Sequence, residues 1–411
     1  MKGNKMHPGY HIINSLMDTD WYIFTMAQFF LHNHPTAMGR DSFKCRNPKE
    51  SLFTTRNPSF LTTPAYFDWL NQELDHYCTL TFSEEELQWL STHNYFKEDF
   101  IDWLVDLKPK RRYIKLTRKE YDRDDVVNFK IDIHGPITQN IWFEVPVLAM
   151  ISEIYGTAAV SSADARVIGH ENLHNNMNLI KNLAPDIQIA DFGTRRRHSH
   201  AWQEEAITTF AKECPNNFVG TSNAYFAMKH NFKPIGTMAH KAICAYQQLE
   251  GCRTIDSQKA MFQDWAQEYR GDLGIALSDT LGFSKFLYDF DKYFAKLFDG
   301  ARHDSGDPYV WGHMLIDMYE SMNINPLTKT GVWSDGLTFS SAIDIHNHFE
   351  GMIQRSFGPG TKFTNDVGYV APQIVIKLVE CNGKPVAKVS DDPGKSMCED
   401  KDYIKYLDTL L

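Results

Sequence analysis

Apolar and polar positions along the chain follow two regimes that change near residue 185. In the first, helix and strand signals are mixed. The run WYIFTMAQFFLH (21–32) has helical apolar spacing, and Asp18 stands where an N-cap belongs. Ser83-Glu84-Glu85-Glu86 has the spacing of a capping box and opens a second helix. FIDWLVDLK (100–108) is a third amphipathic segment. YIKLT (113–117) and VVNFKIDIHG (126–135) alternate, are rich in β-branched residues and read as strands. WFEVPVLAMISEIYG (142–156) reads as a strand running into a helix, with Pro146 near its first turn.

Beyond residue 185 a short apolar run, a polar small-residue turn and a helical stretch recur. IQIA leads to DFGT, NFVG to TSN, KPIG to TMAH, LGIAL to SDT, FDGAR to HDSGD, TGVW to SDG and IQRSF to GPGT. Strand-helix units repeat in this way, and in a parallel barrel the turns that follow the strands share one face. The spacing is irregular, so the expectation is an α/β fold with an irregular (β/α) barrel-like domain over 141–361. After Thr361, APQIVIKLVECNG and KPVAKVSDD form a hairpin around Asn382-Gly383. These strands are expected to pack back on residues 1–140, so that 1–140 with 362–411 make a second, α+β domain.

Composition narrows the partners. The 411 residues are 43% hydrophobic and carry a net charge of −10. An acidic chain is a poor match for nucleic acid or an anionic membrane surface, so basic clusters should be local and serve a compact anion. The seven cysteines are scattered without C-x-x-C, against both a disulfide framework and a zinc ribbon. The first residues lack the apolar core of a secretory leader, and no apolar stretch reaches membrane-spanning length. A cytoplasmic location is the expectation.

Four turns carry candidate chemistry. In DFGTRRR the arginines suit bidentate binding of carboxylate or phosphate, although a basic helix start on a solvated face reads the same way. Arg196, Arg197, His198 and His200 have no assigned part and suit the wet face of the next helix. In ARHDSGDP (301–308), carboxylates beside a glycine turn suit a ribose diol or hydrated Mg²⁺. Asp307-Pro308 equally suits a capped helix start. SFGPGT (356–361) could cradle a phosphate or be a plain turn, and matches neither the P-loop nor the dinucleotide fingerprint. His240, in PIGTMAH, is a structural histidine or a nucleophile. Pairs such as His170/His174 lack a third metal ligand, so no metal site is assigned. Together the turns supply arginines, diol-binding acids and a glycine nest, a set suited to a phosphorylated sugar.

DTDWY-x-x-x-M (18–26), DFGTRRR (191–197), GTSN (220–223), GTMAH (236–240), RHDSGDP (302–308), SDGL (334–337) and SFGPGT (356–361) resemble, in that order, the motifs of nicotinate phosphoribosyltransferases. IKLVECNGKPVAKVSDDPGK (376–395) is similar to that family's C-terminal part, and the likeness runs from Asp18 to Lys395. The resemblance implies phosphoribosyl transfer from 5-phosphoribosyl-1-pyrophosphate (PRPP) to nicotinate, giving nicotinate mononucleotide and pyrophosphate, the salvage entry to NAD. It implies Mg²⁺ with the pyrophosphate. It also implies ATP consumption through a phosphohistidine at His240, and homodimers with active sites at the interface.

By the same resemblance Phe192 stacks on the pyridine ring, and Tyr22 closes the other side from the partner subunit. Arg195 and Arg302 face anions, and Asp304 and Asp335 hold ribose hydroxyls. Gly358, Gly360 and Thr361 cradle the 5′-phosphate, while Thr221, Ser222 and Gly336 complete the substrate contacts. His240, Arg302 and Asp304 form the catalytic set. Relatives commonly follow the histidine with glutamate. Here it is Lys241, a cation that would lower the pKa of His240 and help hold a phosphoryl group. Trp21 stands where relatives often have a smaller residue. Nicotinamide-using relatives tend to carry an acid at the position of Ser222. Ser222 can donate to a carboxylate, which favours nicotinate. The alternatives are nicotinamide as the base, a barrel enzyme for another phosphosugar, and a non-catalytic nucleotide-binding regulator.

Overall fold

The computed structural model describes residues 10–46, 64–118 and 129–410. The start of the chain and Val126–Asn128 of one expected strand lie outside the described residues. The strands are β1 (Met38–Cys45), β2 (Ile114–Arg118), β3 (Phe129–Pro136), β4 (Ile189–Asp191), β5 (Phe218–Thr221), β6 (Ile275–Leu277), β7 (Gly300–His303), β8 (Thr330–Trp333), β9 (Gln354–Phe357), β10 (Ile374–Cys381) and β11 (Lys384–Pro385). Among the described residues they form two sheets. One is antiparallel, in the order β11-β10-β1-β3-β2; the other is parallel, in the order β5-β4-β9-β8-β7-β6.

The antiparallel sheet joins the two ends of the chain. β10 pairs with β1 in the register Phe43↔Ile376, and β1 pairs with β3. β10 is buried on both faces apart from Lys377 and Glu380, as its continuous apolar run IVIKLVEC requires. It packs against the helices Glu144–Ala159 and His240–Tyr246. Asn382 and Gly383, both with positive φ, make the two-residue turn to β11 that an Asn-Gly pair favours.

The parallel sheet has six ladder strands, and the expected strand KPIG is not among them. Thr221 and Pro234 form a single bridge, Ile235 N–H donates to Thr221 O, and the Thr237 hydroxyl donates to Ile275 O. The segment therefore spans the gap between the two edge strands, β5 and β6. Pro234 has no N–H to give a ladder, and Gly236 has φ 154°.

Two other expectations change. WFEV is not a strand: a 3₁₀ turn, Ile141–Phe143, leads straight into the helix Glu144–Ala159. That helix is buried nearly all round, and an apolar run without periodicity reads equally as buried strand or buried helix. Asp18 does not cap the helix Tyr22–Asn33, whose N-cap position is Trp21. Its carboxylate is claimed by Arg197 instead. The capping box at Ser83–Glu86 forms as expected. Trp21 is fully buried among Phe24, Trp89, His93, Tyr95 and Phe96, and its indole N–H donates to the Tyr95 hydroxyl. A residue of that size anchors the start of the helix. Among the described residues no single helix is long and apolar enough to cross a membrane.

Candidate active site

The turns at the C-terminal ends of the parallel strands open on a cavity of about 590 Å³. Tyr22, Phe192, Arg195, Ser222, His240, Arg302, Asp304, Asp335, Gly336, Gly358, Gly360 and Thr361 all line it. Thr221 does not. It is fully buried at the end of β5, and its hydroxyl donates to Asp191. Its work is to hold the turn after β4.

That turn separates the three arginines. Gly193 N–H donates to the Asp191 carboxylate, and Thr194–Arg196 form one turn of 3₁₀ helix. With three residues per turn, consecutive side chains leave about 120° apart. Arg195 points into the cavity. Arg196 also lines it, while its guanidinium donates to Ile374 O and to the Gln373 side chain. Arg197 is fully buried and binds Asp18 through two bonds, of 2.7 and 2.8 Å. His200 takes the same Asp18, and His198 is buried. The wet helix face expected for Arg197 is therefore an internal ion-pair network with Asp18 and His200 beneath the site, and His198 is buried against the Tyr369 hydroxyl.

Phe192 sits against the loop after β9. A Cβ on Gly358 would lie 2.3 Å from the Phe192 ring, and one on Gly360 would lie 2.9 Å from its carbonyl oxygen. Gly358 thus admits the ring and Gly360 the backbone of Phe192, besides shaping the loop. Tyr22 lines the cavity of its own chain. Local bonds place it there: Trp21 N–H donates to Ser222 O, and Asp20 bridges to Asn223.

Sequence reading passed over Asp20, which lines the cavity and accepts a 2.8 Å bond from the Ser222 hydroxyl. Ser222 therefore spends its proton on Asp20 rather than offering it to a ligand. Burial pushes the Asp20 carboxyl up to about 6, against the opposing pull of Arg195 and the bonds from Ser222 and Thr194.

His240 begins the helix His240–Tyr246 and is 3% exposed. Its Nε2 lies 2.9 Å from Asp279 and 3.4 Å from Asp304. Asp279 also accepts from Ser305 at 2.7 Å and pairs with Lys388 at 2.8 Å. Burial and then Lys388 push the imidazole down to about 4, so at neutral pH the ring is neutral and Nε2–H donates to Asp279. Burial raises Asp279, but His240 and Lys388 together hold it well below the usual carboxylate range. With the ring neutral, Lys388 carries that charge. Asp304 is also held low: Arg302, His240 and Lys388 outweigh burial and the repulsion of Asp279.

Lys241 does not join this group. It is buried and pairs with Asp41 on β1 at 2.9 Å, away from the ring. The cations that bear on His240 are Lys388 and Lys377. The helix explains the difference, because neighbouring residues on it point about 100° apart.

Arg46, Arg195, Arg196, Arg302, Lys362, Lys377, Lys388 and Lys395 all line the cavity, against the carboxylates Asp20, Asp304 and Asp335. Eight cations to three acids, in a chain of net charge −10, make a site for a polyanion. Asp335 is ion-paired with Lys395. Lys377, beside Glu144, is pushed down to about 8, by burial above all. Lys377, Lys388 and Lys395 come from the C-terminal strands, where no motif marked them individually. The available signal was a lysine inside the apolar run IVIKLV, since lysine is rarely buried without a task. Asp279 stands in the SDT turn after β6, where residue type alone marks no more than a turn.

Residues 187–411 match the nicotinate phosphoribosyltransferase (NAPRTase) family, and residues 17–152 match the NAPRTase N-terminal domain. The chain is 45% identical over 399 residues to nicotinate phosphoribosyltransferase of Xylella fastidiosa, covering 96% of this chain and 97% of that protein. It is 45% identical over 398 residues to that of Burkholderia cenocepacia, covering 96% of each. The fold superposes on the crystal structure of nicotinate phosphoribosyltransferase from Vibrio cholerae with a TM-score of 0.89 at 32% identity, covering 98% of this chain and 94% of the other. For a putative nicotinate phosphoribosyltransferase from Saccharomyces cerevisiae the TM-score is 0.87 at 27% identity, covering 98% and 99%.

Proposed function

The chain belongs to the nicotinate phosphoribosyltransferase family, and on that premise we propose how its cavity works. It transfers the phosphoribosyl group of PRPP to nicotinate, and ATP hydrolysis is coupled to the reaction through a phosphohistidine at His240. The observation that carries the reading is the company His240 keeps. A buried, neutral imidazole held on Asp279 opens on a cavity lined by eight cations and by the rings of Phe192 and Tyr22, among others.

Nicotinate enters between Phe192 and Tyr22, with its carboxylate on Arg195. The 5′-phosphate rests on the backbone of Gly358, Gly360 and Thr361, and Asp304 and Asp335 take ribose hydroxyls. The C1–O bond of PRPP breaks with its electron pair leaving on pyrophosphate, and the ring nitrogen attacks C1. Arg302 and the lysines stabilise the leaving charge, so catalysis rests on positioning and electrostatics. Mg²⁺ supplies charge neutralisation when bound with the pyrophosphate. Asp304 is the carboxylate that fits it: ionised and in the cavity, whereas Lys395 holds Asp335, and His240, Lys388 and Ser305 occupy Asp279. The product feeds NAD salvage, which fits a cytoplasmic enzyme.

For the phosphohistidine, the Nε2–H donated to Asp279 leaves Nδ1 with the lone pair. That nitrogen bonds to the γ-phosphorus as the bond to the β-phosphate oxygen breaks, and ADP leaves with the electron pair. Asp20 is the one feature favouring nicotinamide, because an ionised carboxylate beside Ser222 could accept an amide N–H. Arg195 on the same wall favours the acid.

Radiolabelled ATP tests the reading. The protein should take up acid-labile label, and His240→Ala should lose it; label persisting in that variant would remove His240 from the role. With the ring held near 4, labelling should persist as the pH falls from about 7.5 to about 5.5, where an unperturbed imidazole would be about nine-tenths protonated. A tenfold fall over that range would mean the ring titrates normally.

A further inference from the structure

The C-terminal segment does more than complete a sheet. Beyond β11 the chain crosses from the antiparallel sheet to the strand-end face of the parallel one. Ala387 is held through both its N–H and its carbonyl by the Gln247 side chain. Val389 N–H donates to Thr280 O, and Asp391 N–H donates to the Ser305 hydroxyl. The Asp391 carboxylate accepts from Phe283 N–H, and Lys388 exchanges backbone bonds with Met397. These bonds anchor the backbone on both sides of Lys388 and to the two turns that carry Asp279 and Ser305.

The side chain so delivered is 3% exposed, and its ammonium lies 2.8 Å from one Asp279 oxygen. The other Asp279 oxygen takes His240 Nε2 at 2.9 Å, and Asp304 stands 3.4 Å from the same nitrogen. The acceptor ring thus carries two carboxylates at its Nε2 edge, negative charge that disfavours an incoming triphosphate. Lys241 cannot offset Asp279, being paired with Asp41, and Lys377 faces Glu144 at 3.5 Å.

We propose that Lys388 is a positioning residue for phosphoryl transfer to His240. By holding the second oxygen of Asp279 it keeps that carboxylate on Nε2, fixes Nδ1 as the acceptor and offsets the negative charge facing the donor. The inference rests on the phosphohistidine reading. The step balances as above: Nδ1 gains the phosphoryl group, ADP leaves with the electron pair, and the Nε2 proton stays on the ring.

The test compares labelling by radiolabelled ATP in the unsubstituted protein, Lys388→Met, Asp279→Asn and the double variant. Lys388→Met should lower the initial rate of labelling by about a hundredfold, the scale on which loss of one charge-stabilising group in a site is felt. It should also raise the KM for ATP more than that for nicotinate. Lys388→Met with Asp279→Asn should label faster than Lys388→Met alone, because the charge that Lys388 offsets has gone. A purely structural lysine would instead lower the folded fraction while leaving the labelling rate per folded molecule and the KM for ATP unchanged, and that result overturns the proposal. So does labelling of Lys388→Met at the unsubstituted rate. NMR of the labelled, unsubstituted protein needs no variant to fold: phosphorus on Nδ1 supports the proposal, and phosphorus on Nε2 overturns it. If the unsubstituted protein takes no label, the phosphohistidine reading itself falls, an outcome distinct from failure of Lys388 alone.

Discussion

At the scale of single residues, adjacent positions with the same charge have unrelated tasks. Arg195 and Arg196 reach the cavity, whereas Arg197 is buried on Asp18. His240 faces the cavity, whereas Lys241 is buried on Asp41. The sequence marked Arg195 and His240 because each follows a strand-end turn. It gave Lys241 a part beside His240 and Arg197 a wet helix face, and neither holds, because the carboxylates that bind them are 200 and 179 residues away. The Lys241 ion pair carries a prediction. Lys241→Met leaves Asp41 buried and unpaired, and chemical denaturation should show a loss of about 3–5 kcal/mol. Adding Asp41→Asn should recover much of it. Labelling of His240 should survive in whatever fraction folds, and loss of label from fully folded protein would give Lys241 a part in the chemistry.

At the scale of elements, legibility followed local grammar. Six strand-end turns were readable because a short apolar run followed by small polar residues has few other meanings. The Asn382-Gly383 hairpin was readable because its two positive φ angles call for those residues. WFEV and KPIG were misread for opposite reasons. The first is apolar all round and gives no period; the second has strand-like residues but no donor at Pro234. The loop after β9 also has a second task, since Gly358 leaves room for the Phe192 ring. Gly358→Ala would place a methyl 2.3 Å from that ring and push it aside. The KM for nicotinate should rise about tenfold or more, the scale of one lost aromatic stacking contact, measured by steady-state kinetics. An unchanged KM would mean that Phe192 does not hold the pyridine ring.

At the scale of the whole molecule, an acidic chain gathers eight of its 42 lysines and arginines in one cavity, beside the sheet that joins early and late segments. Segments near residues 20, 46, 192, 240, 304 and 388 all reach it. Tyr22 and Phe192 of one chain face the same space, so a ring sandwich needs no second copy. Specific activity should therefore stay constant on dilution through any dimer dissociation measured by ultracentrifugation. A fall in step with dissociation would return Tyr22 to the partner's site.

The central claim is that this cavity joins PRPP to a pyridine acid. Its most direct measurement is the initial rate of pyrophosphate release, with PRPP, ATP and Mg²⁺ present, for nicotinate and nicotinamide at equal concentration. The account predicts pyrophosphate and nicotinate mononucleotide in equal amounts, with a clear preference for nicotinate. Preference for nicotinamide would make Asp20 rather than Arg195 the group that selects the base, and no pyrophosphate release with either would contradict the account.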